Sequence, residues 1–342
     1  MTKAFGWGIL GPGRIAMLTT RGPLVNLPDV RRVAVGSRSK DRAAEFAARF
    51  GFAHSYGSYE ELVADPDVEV VYVATPHPFH REHTILCLEH GKHMVCEKPM
   101  AMNEREAREM VECARANGRF LVEAMFTRWL PVHRAVRRWI AEGRIGEVRM
   151  LWASSGFIAG WDPQSRTLNK ELGGGALLDI GVYPVALAHS LFGSPAKVCA
   201  AGYIGKTGVD EQEAYVFQYA DGQLASLSSS VRTRQRNDAV IQGTQGQIYL
   251  APSWWGGPRT GYLQLEGEKE PLHFTETEKD WLYEAGNPGD HEKSWMVAHV
   301  MDCLREGRLE SPDMPLDESV AIARTMDQIR AQIGLTYPAD LQ

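Results

Sequence analysis

The sequence predicts an α/β protein: a doubly wound parallel sheet followed by a second domain rich in strands. Three observations predict it. The 342-residue length suits two cores rather than one. Strand-like and helix-like runs alternate regularly as far as Glu123. Beyond that point strand-like runs follow one another with turn residues between them, so the domains are expected at residues 1–123 and 124–342.

In the first half, Ala4 to Leu10 reads as a short buried strand that ends in a glycine turn, and a helix is expected from about Arg14. Arg31 to Ser37 is a second strand, and Lys40 to Phe50 an alanine-rich helix stopped by Gly51. Glu60 to Ala64 is a short helical piece. Val68 to Thr75 is almost continuously β-branched, as a strand covered on both faces requires. Phe79 to His90, His93 to Glu97 and Glu104 to Asn117 continue the series as helix, strand and helix. In the second half, strands are expected at Val148 to Ser154, Lys197 to Ile204, Ala214 to Tyr219, Leu224 to Val231, Ala239 to Gln242, Gln247 to Leu250 and Tyr262 to Leu265. Ala220-Asp221-Gly222 is a hairpin signal. His291 to Glu306 and Pro315 to Ile333 carry helical periodicity.

A formal net charge of -6 leaves no basic footprint for nucleic acid or an anionic membrane surface, so neither partner is expected. Met1 to Leu10 has one basic residue and too short an apolar run for a signal peptide or a span. The five cysteines, Cys87, Cys96, Cys113, Cys199 and Cys303, are odd in number and form no CxxC pair. That pattern argues against a disulfide framework and for the cytoplasm.

Gly11-x-Gly13-x-x-Ala16 lies between a predicted strand and a predicted helix, where a dinucleotide fold brings backbone and a helix terminus to a pyrophosphate. The strand, helix and second strand around it turn a weak pattern into a Rossmann-type reading, with Arg14 and Ile15 also at the cofactor. NAD-selective folds place an acid after the second strand to hold the ribose hydroxyls. Here that position reads Gly36-Ser37-Arg38, so Ser37 and Arg38 are expected to bind a 2'-phosphate, which favours NADP(H) with NAD(H) as the alternative. The competing reading of Arg38 is a solvated loop charge.

Ligands of open α/β sheets bind beyond the carboxyl ends of the strands. Glu97-Lys98-Pro99 falls at such an end, which points Lys98 toward the crevice, and Pro99 is a candidate for a cis bond. Further on, Gly173-Gly174-Gly175 precedes an expected helix on which Asp179 and Tyr183, four apart, share a face. A phenol with an ordinary pKa of about 10 is a poor base at neutral pH, but an ammonium beside it favours the phenolate. Lys98 is the expected source of that charge.

Gly11-x-Gly13-x-x-Ala16, Glu97-Lys98-Pro99 and the glycine-led segment from Asp179 to Tyr183, in this order, resemble the family of glucose-fructose oxidoreductase, inositol dehydrogenase and MocA. Tyr56 to Leu62, Cys96 to Met100 and Gly173 to Asp179 are most similar to its dihydrodiol dehydrogenase and NADP-dependent D-xylose dehydrogenase branch. The resemblance runs over essentially the whole chain. It implies an N-terminal Rossmann domain and a C-terminal α/β domain with a large, mostly antiparallel sheet whose open face pairs subunits, hence a homodimer or higher homo-oligomer. It also implies hydride transfer between a nicotinamide cofactor and a sugar or vicinal diol, with Lys98, Asp179 and Tyr183 as the catalytic set. Many members carry histidine where this chain has Tyr183, a departure that argues against inositol-type substrates.

Thr75, Pro76, His77 and His80 are then expected at the nicotinamide or ribose, together with Glu97 and Lys98. The spacing His77-x-x-His80-x-x-His83, with Cys87 a turn further, invites a metal reading, but a defined further ligand is lacking and no metal is expected. Phe126, Arg128 and Trp161 are the candidate substrate contacts. Trp129, Phe157, Trp254, Trp255 and Trp281 are further aromatics that are either pocket wall or core. Two alternatives stand beside the dehydrogenase: a keto- or anhydrosugar reductase, and a dinucleotide sensor that binds without chemistry.

Overall fold

The structure is a computed structural model that describes residues 3–256, 260–274 and 292–341. The chain divides into two compact units. The described part of the first comprises residues 3–101, 105–126 and 292–319; that of the second comprises 102–104, 127–256, 260–274 and 320–341. One crossing near Glu123 was expected, whereas the chain crosses several times and returns to the first unit late.

The first unit holds six parallel strands: β1 (Phe5–Leu10), β2 (Val30–Gly36), β3 (His54–Tyr56), β4 (Val70–Val73), β5 (His93–Cys96) and β6 (Leu121–Glu123). Their order is β3-β2-β1-β4-β5-β6, which reverses direction between β1 and β4. Every residue of β1 and β4 is buried, as strands covered on both faces must be. The connecting helices are α1 (Arg14–Thr19), α2 (Lys40–Phe50), α3 (Tyr59–Ala64), α4 (His80–Glu89) and α5 (Glu104–Ala116). α2 matches its expected span because its ends are written locally. The Ser39 hydroxyl accepts the Arg42 N–H at 3.4 Å, and Gly51 terminates the helix at φ 70°, a left-handed conformation that suits glycine.

The second unit is built on eight strands: β7 (Val148–Gly156), β8 (Lys197–Ile204), β9 (Asp210–Gln218), β10 (Leu224–Ser230), β11 (Ala239–Gly243), β12 (Gly246–Leu250), β13 (Gly261–Leu265) and β14 (Leu272–His273). The order is β14-β13-β12-β11-β7-β10-β9-β8, and all neighbours are antiparallel except β7 and β10. Registered neighbours Val198, Phe217, Ala225, Leu151, Ile241, Ile248 and Leu263 form a buried row across one face. On that side lies α7 (Val182–Phe192), while α6 (Pro131–Ala141) precedes the sheet in the chain. α6 was not expected, although Val132, Ala135, Val136 and Trp139 repeat at helical spacing and are all buried. Among the described residues Lys170–Phe192 is the one segment long and apolar enough to cross a membrane, and 83% of its apolar window is buried within the protein.

α8 (Ser294–Arg305) and α9 (Leu316–Ile333) take up the two late helical patterns; His291 lies outside the described residues.

Candidate active site

The carboxyl edge of the parallel sheet gathers most of the residues expected at a cofactor. Gly11 follows β1, Ser37 and Arg38 follow β2, Thr75 to His77 follow β4, and Glu97 with Lys98 follow β5. Backbone bonds lace these ends together: Gly11 N–H to Gly36 O at 3.1 Å, Ala74 N–H to Leu10 O at 3.0 Å, and Glu97 N–H to Val73 O at 3.0 Å. Gly11 adopts φ 87°, and a Cβ there would meet the Thr75 methyl at 2.7 Å, so glycine is required on both counts. At Gly13, which caps α1, a Cβ would meet nothing within 4 Å. That open space beside a helix start fits a pyrophosphate, with Arg14 and Ile15 exposed and Ala16 buried.

Beyond β2, Ser37 is buried and its hydroxyl accepts the Ser39 N–H at 3.2 Å. Arg38 is exposed, and its guanidinium hydrogen-bonds the Tyr59 phenol. Burial holds that phenol up, while Arg38 and Arg42 pull against it, so two guanidinium groups sit at this corner. Arg42 was missed, though its place in the first turn of α2, four after Arg38, was the available signal.

The histidine triplet separates into different tasks. His80, expected at the cofactor, is 0% exposed, and its ring nitrogens lie 2.8 Å from Pro99 O and 2.9 Å from Thr75 O. Burial lowers its pKa, and a neutral imidazole donates to one of these carbonyls at a time. His80 therefore supports the turns after β4 and β5 from below. His83 bonds the Thr75 hydroxyl at 3.0 Å through Nδ1, packs edge-on to Tyr59, and is lowered to about 4 by burial. His77 is buried beside the His80 ring.

Glu97 is likewise tied to its neighbours within the first unit. It is 5% exposed, and its carboxylate bonds the Tyr72 hydroxyl and the Lys293 ammonium; Lys293 also reaches the Tyr72 hydroxyl at 2.9 Å. Burial acts to raise the Glu97 carboxyl, but Lys293 and the Tyr72 hydrogen bond outweigh it and hold the group below its ordinary range. The ammonium also lies over the rings of Tyr72 and Phe126, at 5.6 and 5.9 Å from their centroids. Glu97 Oε2 accepts the backbone N–H of Lys98 at 3.2 Å, and the Lys98–Pro99 bond is cis. Lys293 was missed because nothing near residue 293 points to a partner 196 positions away.

In the second unit, the segment that carries Asp179 is a π-helical turn, Leu177–Gly181, which runs into α7. The α-helical spacing expected for Asp179 and Tyr183 is thus corrected. Asp179 Oδ1 accepts from Arg166 Nη2 at 2.9 Å. Tyr183 is 7% exposed and lies against the Trp255 ring, with centroids 5.7 Å apart and planes 23° from parallel. Arg128, expected as a substrate contact, is buried, with Nη2 donating to Ala186 O at 2.9 Å in α7. It supports the helix that bears Tyr183. Trp161 is exposed with the Arg232 guanidinium 5.2 Å from its ring centroid. Trp129 and Trp254 are core, and Trp281 lies outside the described residues.

A 3-2-1-4-5-6 parallel sheet with a glycine turn at its switch point defines a Rossmann-type dinucleotide-binding protein. The chain belongs to the Gfo/Idh/MocA family: residues 5–125 match its NAD-binding Rossmann fold and residues 133–249 its C-terminal domain. Among curated relatives it is 39% identical to trans-1,2-dihydrobenzene-1,2-diol dehydrogenase of Mus musculus, over 98% of this chain and 99% of that one. Among solved structures it is similar to the aldose-aldose oxidoreductase from Caulobacter crescentus complexed with glycerol, with a TM-score of 0.84, 25% identity and coverage of 96% and 97% of the two chains. It is also similar to a 3-ketoreductase from Actinomadura kijaniata in complex with NADP and TDP-benzene, with a TM-score of 0.82, 25% identity and coverage of 97% and 98%.

Proposed function

We propose that the protein oxidises a hydroxyl of a vicinal diol or an aldose with NADP+, Tyr183 taking the hydroxyl proton. The bound nicotinamide supplies the hydride acceptor. Lys98 stabilises the alkoxide-like oxygen and favours the Tyr183 phenolate, and Asp179 orients the substrate. In the reverse direction Tyr183 donates. The observation that carries this reading is Tyr183 itself, a buried phenol in the first turn of α7, in a chain with near full-length likeness to a diol dehydrogenase. The likeness to the 3-ketoreductase supports a second reading, reduction of a keto sugar by the same residues. The test is the appearance of reduced nicotinamide when purified protein meets NADP+ with trans-1,2-dihydrobenzene-1,2-diol, D-xylose, D-glucose or inositol. Turnover of the diol or an aldose supports the first reading. Silence with all four, together with NADPH consumption on a keto sugar, replaces it by the second, and silence in both directions overturns both.

Phosphate selectivity rests on Ser37 and Arg38, with Arg42 alongside. Arg38→Ala is expected to lower kcat/KM with NADP+ by about 10- to 100-fold, the loss of one or two charge-assisted bonds, and to leave NAD+ turnover nearly unchanged. Equal losses with both cofactors would remove Arg38 from the 2'-phosphate site.

Self-association is proposed through the open face of the eight-stranded sheet. Cys199, Val216, Ser226, Trp152, Val240, Tyr249, Tyr262 and His273 are registered neighbours in a row across it, opposite in parity to the buried row. Trp152 at 49% exposure lies in this row, and Tyr203 on β8 is 56% exposed. An exposed apolar surface of this kind favours a symmetric interface. Trp152→Glu is expected to convert a homodimer to monomer in sedimentation equilibrium, and an unchanged mass would reject the face. Five free cysteines support a cytoplasmic location.

A further inference from the structure

β9 carries one residue more than its partner. Tyr203 pairs with Gln212 but Ile204 with Asp210, so Glu211 is bulged. In a regular strand residues 210 and 213 point to opposite faces. The bulge turns both inward, leaving Asp210 fully buried and Glu213 4% exposed. Burying two carboxyl groups together is costly unless both are satisfied. Asp210 Oδ2 accepts the Leu177 N–H at 2.6 Å and Oδ1 the Tyr337 hydroxyl at 3.3 Å. Glu213 Oε1 accepts the Ser229 hydroxyl, while its Oε2 finds no donor. The two side chains hydrogen-bond each other, which requires a proton on one of them.

The pair sits under the π-helical turn. Leu177, whose N–H Asp210 holds, opens that turn. Its far end is held by the Ser155 hydroxyl on Ile180 O at 2.9 Å and the Tyr215 hydroxyl on Gly181 O at 3.2 Å. The Tyr337 hydroxyl reaches Gly174 O at 2.5 Å, just ahead of the turn. A Cβ on Gly181 would meet the Ser229 oxygen at 2.6 Å, so the segment lies directly on this polar floor. Asp179 is two residues from Leu177, and Tyr183 follows two residues after Gly181.

We propose that Asp210 and Glu213, holding one proton between them, are positioning residues that fix the Leu177–Gly181 turn and thereby set Asp179 and Tyr183 for the reaction. The proposal rests on the catalytic reading of those two residues. Burial raises both carboxyls above their ordinary range. Asp210 already accepts from the Leu177 N–H and the Tyr337 hydroxyl, whereas Glu213 Oε2 meets no donor, so the shared proton is placed on Glu213. The groups facing the pair are Ser229, the Tyr215 and Tyr337 phenols, both held up by burial, and the Arg330 guanidinium over the Tyr337 ring at 5.3 Å. A carboxyl with a raised folded-state pKa contributes most at low pH, and its contribution is lost as pH rises through the folded value.

The test compares Asp210→Ala and Glu213→Leu with the conservative Asp210→Asn and Glu213→Gln, in the full-length chain. Asp210→Ala is expected to lower kcat with trans-1,2-dihydrobenzene-1,2-diol by about 100-fold, the scale of a small misplacement of catalytic groups, with the NADPH Kd unchanged. Asp210→Asn keeps an acceptor for Leu177 and stays within a few-fold of wild type by the same reasoning. Glu213→Gln keeps a donor to Asp210, retains kcat at neutral pH, and flattens the alkaline fall of both kcat and Tm. If Asp210→Ala does not accumulate folded, Glu213→Leu carries the comparison. Amide exchange over residues 177–183 is read in parallel and is expected to speed up in Asp210→Ala and Glu213→Leu alone. Wild-type kcat in the foldable disruptive variant, or unchanged exchange there, overturns the proposal. A wild-type protein that turns over no substrate overturns the catalytic reading instead, and exchange then decides whether the pair holds the turn.

Discussion

Replacing Lys98 by Met is expected to lower kcat by about 1,000-fold or more while the NADPH Kd stays within a few-fold of wild type. The ammonium is assigned to charge that exists only while the proton and hydride move, so its loss falls on the transition state rather than on cofactor binding. Met keeps the length and apolar bulk of the stem at the turn after β5. The backbone N–H that bonds Glu97 is untouched, and so is the Pro99 carbonyl beside the His80 ring. Steady-state rates and a fluorescence titration with NADPH separate the two quantities. A variant with near-normal turnover would take Lys98 out of the chemistry, and one that loses NADPH affinity in parallel would make it a cofactor anchor.

Replacing Lys293 by Met is expected to destabilise the first unit by about 3–5 kcal/mol, the scale for removing one partner of a buried ion pair. The loss arises from Glu97, which remains buried with the Tyr72 hydroxyl as its remaining named side-chain donor. The carboxyl that Lys293 holds down then rises, so the variant becomes relatively more stable on acidification, the reverse of the wild-type trend for this group. Adding Glu97→Leu removes the stranded charge and is expected to recover most of the loss. Urea unfolding of the three variants at two pH values checks this. A Lys293→Met midpoint equal to wild type would reduce the pair to a contact without energetic weight.

What could be read from the chain and what could not follow from how far apart the determinants lie. α2 was legible to the residue because Ser39, the alanine-rich repeat and Gly51 are consecutive. The same holds for the glycine turn, whose strand, turn and helix fit within about a dozen residues. β3 and β6 escaped because three residues carry too little pattern, and α6 escaped because strand-like runs around it drew the reading away from Pro131 and its helical repeat. The parallel pairing of β7 with β10, the Lys293 ion pair and the bulge that turns Asp210 and Glu213 together are set by tertiary register, which no local window contains. For the same reason the burial of Glu97 and His80 was not legible: the motif told where they are in the chain, while tertiary packing decided how deeply they lie.

The late return of the chain to its first unit has a consequence for how that unit is made. The strands and glycine turn are complete by residue 126, yet several of their partners are still to be translated. Asp29 awaits Arg305 at 2.7 Å, Arg115 awaits Asp317 at 3.0 Å, Glu97 awaits Lys293, and the N–H of Leu121 on the edge strand β6 awaits the carbonyl of Leu309 at 3.2 Å. A nascent chain stalled after residue 126 would hold a buried carboxylate without its counter-ion and an open sheet edge, the two features that invite unfolding and mispairing. The ribosome therefore delivers the second unit's sheet before the last segment of the first, so the first unit acquires its full set of partners only late in synthesis rather than in the N-terminal-first order usual for multidomain chains.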